Sequence, residues 1–384
     1  MTSEHWLPAA LNGGWIYRDR VPEAQAGLRV TAFYAQRHRH SAAAIWDERL
    51  AAGEIARNGE ILRRDAALAA GDRLAWHRPP WLEQAVPAVW AVVYDDGDLL
   101  VLDKPSGLPV LPAGGWLEHT VLRLLERRHR GDPAGIPRPV HRLGRFTSGL
   151  LVCARRPSTR AWLSAALRES TAVGGPGSDG LRGDAPEAAP AAEGRREVCG
   201  SGRREQDDQL QADRPAATAA GANAPWDLGR GAVGAEATGA RPSLCKLYRA
   251  WLVPGALALE PGESLEITTA IGRRSHSRLG WIWCAALTPQ PGDLHACSRL
   301  TLLQRRPQGD LVQVAIGSGR PHQIRIHCAA IGAPLLGDPL YRPGGGADPA
   351  SLPGEGGYRL QAWRLELQQP DGCALVLEAP EPLG

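Results

Sequence analysis

The sequence predicts an α+β protein, a mostly antiparallel mixed sheet with flanking helices, preceded by a small α/β domain at the N-terminus. Three observations carry that expectation. Strand-type segments outnumber segments of helical periodicity. They seldom alternate with helices as a parallel βαβ array requires. Between Thr171 and Arg241 there is no Phe, Tyr, Ile, Met or Lys and only one Trp, Trp226. Such a stretch cannot bury enough apolar surface to offset the entropy of ordering it. The expected organisation is an N-terminal extension over 1–25, a small domain over 26–85, and a main domain over 86–170 and 243–384. A disordered low-complexity insertion over 171–242 interrupts the main domain, at little cost in loop-closure entropy.

Along the chain, Leu99-Leu100-Val101-Leu102 is a buried-strand candidate ended by Pro105 and Gly107. Leu117, Val121, Leu122, Leu124 and Leu125 have helical spacing before a basic end at Arg127-Arg128-His129-Arg130, which suits a helix C-terminus. Leu150–Ala154 reads as a strand, and Ser158 is placed to cap a helix running to Glu169. Beyond the insertion, strands are expected around Leu247–Val253, Leu265–Ala270, Leu300–Leu303 and Leu311–Ile316. A glycine-rich turn, Gly317-Ser318-Gly319, then opens a helix with Pro321 in its first turn. Ile324, His327, Cys328 and Ile331 share one packed face, Arg325 lies off it, and Gly332 ends the helix. Arg320 at its start is a candidate phosphate contact, beside backbone N–H groups that suit an anion. Trp363, Leu365 and Leu367 alternate with Arg364 and Glu366, as in a half-solvated strand.

The 384 residues suffice for two domains. Lys+Arg 44 against Asp+Glu 41 leave a net charge of only +3, so a nucleic-acid surface must come from local clustering. From Arg29 to Arg78 nine arginines face six acids, the same excess of three. Arg37, Arg39, Arg57, Arg63 and Arg64 are the candidate phosphate contacts of that stretch, equally readable as a solvated face. Seven scattered cysteines without a CxxC pair point to reduced thiols and a cytoplasmic setting. No apolar run approaches the roughly 20 residues that span a bilayer, so no membrane partner is expected. His322 and His327 do not share a helix face, so no metal site is expected and His327 reads as a core histidine.

Four separated segments, taken in order, resemble one known family. Tyr94-Asp95-Asp96-Gly97-Asp98 through Leu108-Pro109-Val110 resembles its first motif, a strand feeding a turn under the active site. His141-Arg142-Leu143-Gly144-Arg145-Phe146-Thr147-Ser148-Gly149 resembles its HRLDxxTSG catalytic loop. Lys246-Leu247-Tyr248-Arg249-Ala250 is similar to its KxYxA strand, and Gly319–His327 with Leu336-Gly337-Asp338-Pro339-Leu340-Tyr341 to its GRxHQIRxH…LGDxxY motif. The family is that of the RluA-type RNA pseudouridine synthases, and the resemblance covers about residues 88–170 and 243–384. Residues 35–76 are similar to the small S-four-like RNA-binding module often fused to these enzymes.

The resemblance implies isomerisation of uridine to pseudouridine in structured RNA, ribosomal or transfer RNA, with no cofactor, no metal and no DNA partner. The target base must leave its stack to enter a pocket. Arg142 matches the arginine that holds the flipped nucleotide, Tyr248 the tyrosine whose ring packs against the base, and Arg325 the basic partner of the nucleophilic aspartate. That aspartate is replaced here by Gly144, which has no side chain with which to attack. The sequence leaves three readings open: another carboxylate serves, with Asp338 and Asp103 as candidates; the protein is a catalytically inactive RNA-binding protein on the same fold; or the codon itself carries a change. In the first two Arg325 requires an anionic neighbour, a different acid or an RNA phosphate, since a poorly solvated unpaired charge costs several kcal/mol.

Overall fold

The structure, a computed structural model, describes residues 6–38, 41–169, 244–317, 319–380 and 383. The expected insertion over 171–242 and the candidate Arg39 lie outside the described residues, as does Ser318 of the glycine-rich turn. No helix among the described residues is long and apolar enough to cross a membrane.

Near the N-terminus, helices α1 (Val30–Arg37) and α2 (Ala43–Ala51) pack on a four-stranded antiparallel sheet in the order Trp15–Arg20, Arg73–Arg78, Ile55–Arg57, Glu60–Leu62. The hairpin turn at Asn58-Gly59 has φ of +54° and +94°. Both values belong to the two-residue turn whose twist matches that of the flanking strands. Asn58 then ties the turn to the neighbouring loop, donating to Asp72 Oδ1 and accepting from the Arg73 amide, both at 2.9 Å. Phe33, Tyr34, Trp46 and Trp76 form the core, and the Arg49 guanidinium lies over both tryptophans. The boundary expected at residue 26 is corrected: Trp15–Arg20 is a strand of this sheet and Val21 is fully buried in its core.

The main sheet has ten strands. Its principal path runs Ser264–Ile267, Ser298–Arg306, Gly309–Ile316, Leu244–Leu252, Leu360–Gln368, Thr147–Ala154, Leu99–Lys104, Ala91–Asp95. Among the described pairings of this sheet one is parallel, Thr147–Gly149 against Leu360–Ala362, and all others are antiparallel. That pair is the seam where the sequence before the insertion meets the sequence after it. Strand alternation sends Leu100, Leu102, Tyr248, Val312, Val314 and Ala362 to one face. There α3 (Val121–Arg128) and α5 (Gln323–Ala330) cover them. Leu99, Val101, Leu150, Val152, Leu365 and Leu367 face the other side, under α4 (Pro157–Glu169).

Two local readings change. The helix expected to be capped by Ser158 starts at Pro157, and its first turn is held by Asp98, which accepts from the Arg156 amide and the Thr159 hydroxyl. The helix expected to be amphipathic, α5, is buried from Gln323 to Ala329 on every side. It lies between the sheet and the 335–341 segment, so its polar residues must find partners inside the protein.

At the seam Gly149 has φ +96°, and a Cβ built on it would lie 2.2 Å from the Ala362 carbonyl oxygen. The close approach of the two backbones excludes every side chain. Gly149→Ala is expected to lower stability by about 3 kcal/mol or more; thermal unfolding measures it, and an unchanged melting temperature contradicts this account of the seam.

Candidate active site

The loop from His141 to Phe146 enters the seam strand, and the turn after Leu99–Lys104 supports it from below. Lys104 is 1% exposed, and its ammonium donates to the carbonyls of Pro105, Leu108 and Arg145 at 2.8, 2.9 and 3.1 Å. Three acceptors match three N–H donors, which is how a lysine is accommodated in a core. The Gly107 amide donates to Arg145 O, the Ser106 hydroxyl to Phe146 O, and Arg145 Nε to Gly107 O. The first and second sequence motifs are therefore one docked unit. His141 accepts from the Val152 amide at 3.0 Å through Nε2, so its proton sits on Nδ1, and burial holds its pKa down near 3.

Arg325 is 3% exposed and makes a two-pronged ion pair with Asp338, Nε to Oδ2 and Nη2 to Oδ1, both 2.7 Å. Asp338 Oδ1 also accepts from the Leu340 and Tyr341 amides. The carboxylate thus carries four hydrogen bonds with its side chain wholly buried. The geometry gives it the role of anchoring Arg325 and capping its own turn. The guanidinium lies 4.1 Å from the centre of the Tyr358 ring and 5.0 Å from that of Tyr341. Tyr358 in turn meets Phe146 edge-on at 5.9 Å, and its hydroxyl is 3.4 Å from the Thr147 hydroxyl. One ring therefore connects Arg325 to the loop that holds Gly144.

Gly144 is exposed on its outer side, yet a Cβ built there would lie 2.3 Å from Tyr358 Oη and 3.2 Å from Thr147 Oγ1. The volume a side chain would need is filled by a phenol. Tyr248 stands in the same row of the sheet, since both Gly149 and Tyr248 are register partners of Ala362. Its ring is 7% exposed in the core cluster shared with Leu143, Ile324 and Tyr358, and burial raises its hydroxyl pKa to about 12. Arg142 is exposed at the mouth of the loop.

Before α5, His322 holds a left-handed backbone, φ +54°, one of two non-glycine residues with positive φ among those described. The Tyr341 hydroxyl is 2.9 Å from the Trp283 carbonyl, which can only accept, and 2.8 Å from His322 Nδ1. The chain of donors is therefore His322 Nδ1–H to Tyr341 to Trp283, which leaves Nε2 unprotonated. Burial lowers the His322 pKa to about 3, and the charges of Arg325 and Arg142 add to that effect. Further along the helix, Gln323 donates to the Ser298 hydroxyl, Ser298 to His327 Nδ1, and His327 Nε2–H to Thr269 O.

Of the residues singled out from sequence, the structure gathers Arg325, Asp338, Tyr248 and Gly144 on one face of the sheet. It separates Asp103 from them. Asp103 is the register partner of Leu150 and shares the parity of Leu99 and Val101, so it points to the face under α4 and is corrected as a candidate acid. In the N-terminal unit Arg37 is tied to the buried Asp19 at 2.7 Å. Arg57 and Arg63 donate to the carbonyls of Ala67 and Ala51 and Arg320 to that of His295, while Arg64 is exposed. Sequence reasoning missed Tyr358, Lys104 and the His322–Tyr341 pair. Tyr358 lies 211 residues from Thr147, and no local pattern marks it. Among the described residues no group of three or more His, Cys, Asp or Glu could hold a metal.

Comparison with known proteins gives consistent matches. A family model for RNA pseudouridylate synthase matches residues 98–173. An RNA pseudouridine synthase of Synechocystis sp. is 32% identical over 353 residues, covering 91% of this chain and 93% of the relative. RNA pseudouridine synthase 5 of Arabidopsis thaliana is 31% identical over 390 residues, covering 96% and 88%. Ribosomal large subunit pseudouridine synthase D of Pseudomonas aeruginosa is 26% identical over 331 residues, covering 84% and 76%.

Two outcomes follow from the buried groups. Asp338→Ala leaves Arg325 buried and unpaired and is expected to cost about 3–5 kcal/mol of stability, read by denaturant unfolding. The second concerns acid. His327 is fully buried and its pKa falls from 6.5 in the reference state to about 4. The unfolded chain therefore takes up this proton first, so stability is complete above about pH 6.5 and declines as the pH falls to about 4, by about 3 kcal/mol from this residue. A melting temperature that stays level from pH 7 to pH 4.5 contradicts it.

Proposed function

We propose a function that starts from one fact: the chain belongs to the RNA pseudouridine synthase family. It isomerises uridine to pseudouridine, and its substrate is a structured RNA, ribosomal or transfer RNA. The observation that carries this reading is the assembly around the seam. The loop beginning at His141, the Tyr248 ring row and the Arg325–Asp338 pair all approach the same face of the sheet, joined through Tyr358. The chemistry asks for groups gathered in this way, because the base has to be detached from C1′, turned and rejoined through C5 while shielded from water.

Arg142 stands exposed on the loop, where a guanidinium can meet the phosphate of an extruded nucleotide. Arg325 and Asp338 serve as the frame beneath it. The N-terminal unit, with two helices on a small sheet and Arg64 exposed, adds a salt-dependent hold on the RNA backbone, the role expected of an S-four-like module.

The test uses RNA carrying tritium at uracil C5, which loses that hydrogen when C5 bonds to the sugar. Ribosomal and transfer RNA transcripts incubated with the protein are expected to release tritium to water above a protein-free control. Binding without release from any of them overturns the reading in favour of a catalytically inactive RNA-binding protein.

A further inference from the structure

We propose that Tyr358 is a catalytic acid–base residue of the isomerisation, its hydroxyl standing where a side chain of residue 144 would stand. The inference rests on the reading that the chain isomerises uridine and names the group that replaces the missing acid.

The hydroxyl oxygen sits 2.3 Å from the Cβ position of Gly144, so a side chain at 144 fits only if the phenol moves from its place. That occupancy, and not backbone conformation, favours glycine at 144, since its φ is not in the left-handed range. The ring is held on three sides, by the Arg325 guanidinium at 4.1 Å, by Phe146 at 5.9 Å and by the Thr147 hydroxyl at 3.4 Å. The two carboxylates considered from sequence are unsuited to the work. Asp338 is wholly buried with four hydrogen bonds, and Asp103 faces the opposite side of the sheet.

A hydroxyl can both donate and accept, and the reaction as a whole moves one proton from C5 to N1. As the N1–C1′ bond breaks, its electron pair goes to N1, which takes the Tyr358 proton. C1′ is left as the sugar cation, and the phenol oxygen carries the negative charge beside Arg325. The freed uracil turns. Its C5–C6 π pair forms the C5–C1′ bond, the C5–H pair returns to the ring, and that proton goes back to the Tyr358 oxygen. No oxidant, reductant or second reactant enters.

The test is kinetic and uses the full chain in the tritium-release assay. Tyr358→Phe keeps the ring between Arg325 and Phe146 and removes only the oxygen. It is expected to lower kcat by about 100-fold or more while leaving KM for RNA and the melting temperature near their wild-type values. A merely structural tyrosine would instead move stability or KM. An active wild type with an equally active Tyr358→Phe overturns the assignment of Tyr358 alone. A wild type that releases no tritium overturns the functional reading, and this inference with it. Should Tyr358→Phe fail to fold, Gly144→Ala substitutes for it. The added methyl pushes the phenol oxygen aside without removing it, and a kcat drop of about tenfold or more is expected; full turnover in that variant overturns the proposal.

Discussion

The buried pair of Arg325 and Asp338 is the interaction on which the site depends. A guanidinium taken out of water is tolerated only with a matched anion and filled hydrogen bonds, and here Asp338 supplies both in a two-pronged contact at 2.7 Å. Because Asp338 also receives two backbone amides, the pair locks α5 to the 335–341 segment. A cation fixed in this way lies over the Tyr358 ring, and the Tyr358 hydroxyl fills the space beside Gly144 of the loop.

The seam of the sheet gives the cluster its place. The parallel pairing of Thr147–Gly149 with Leu360–Ala362 brings together two stretches separated by the long low-complexity segment, and Gly149 permits the approach. The same row continues to Tyr248 on the next strand. Antiparallel neighbours flank the seam on both sides, and Lys104 holds the approaching turn by three carbonyls. The site is thus built on strands and a buried helix, and its loop is short and supported along its length.

Gly144 and Tyr358 share one space, the phenol oxygen lying where a Cβ at 144 would stand. A glycine that left a void at this point would lower the packing density. This chain fills the space with a phenol from a distant segment, and the phenol brings a protic group to the same position. Gly144 and Tyr358 have to be considered together, because the phenol oxygen fills the space a side chain at 144 would take.

The sequence by itself determined the fold class, the order of strands and helices around the loop, and the family. Those features are local: apolar alternation, glycine turns and short motifs survive as patterns of neighbours. The core role of His327 was legible for the same reason. The tertiary structure alone decided which groups meet. Strand parity, set by register and not by composition, sent Asp103 to the far face although it lies inside a matching motif. Burial on all sides made α5 a core helix where its periodicity read as amphipathic. Tyr358 entered the site by chain folding over a separation of two hundred residues, which no local pattern records. Contacts of that range are fixed by packing and pairing, and they exist only once the chain has closed on itself.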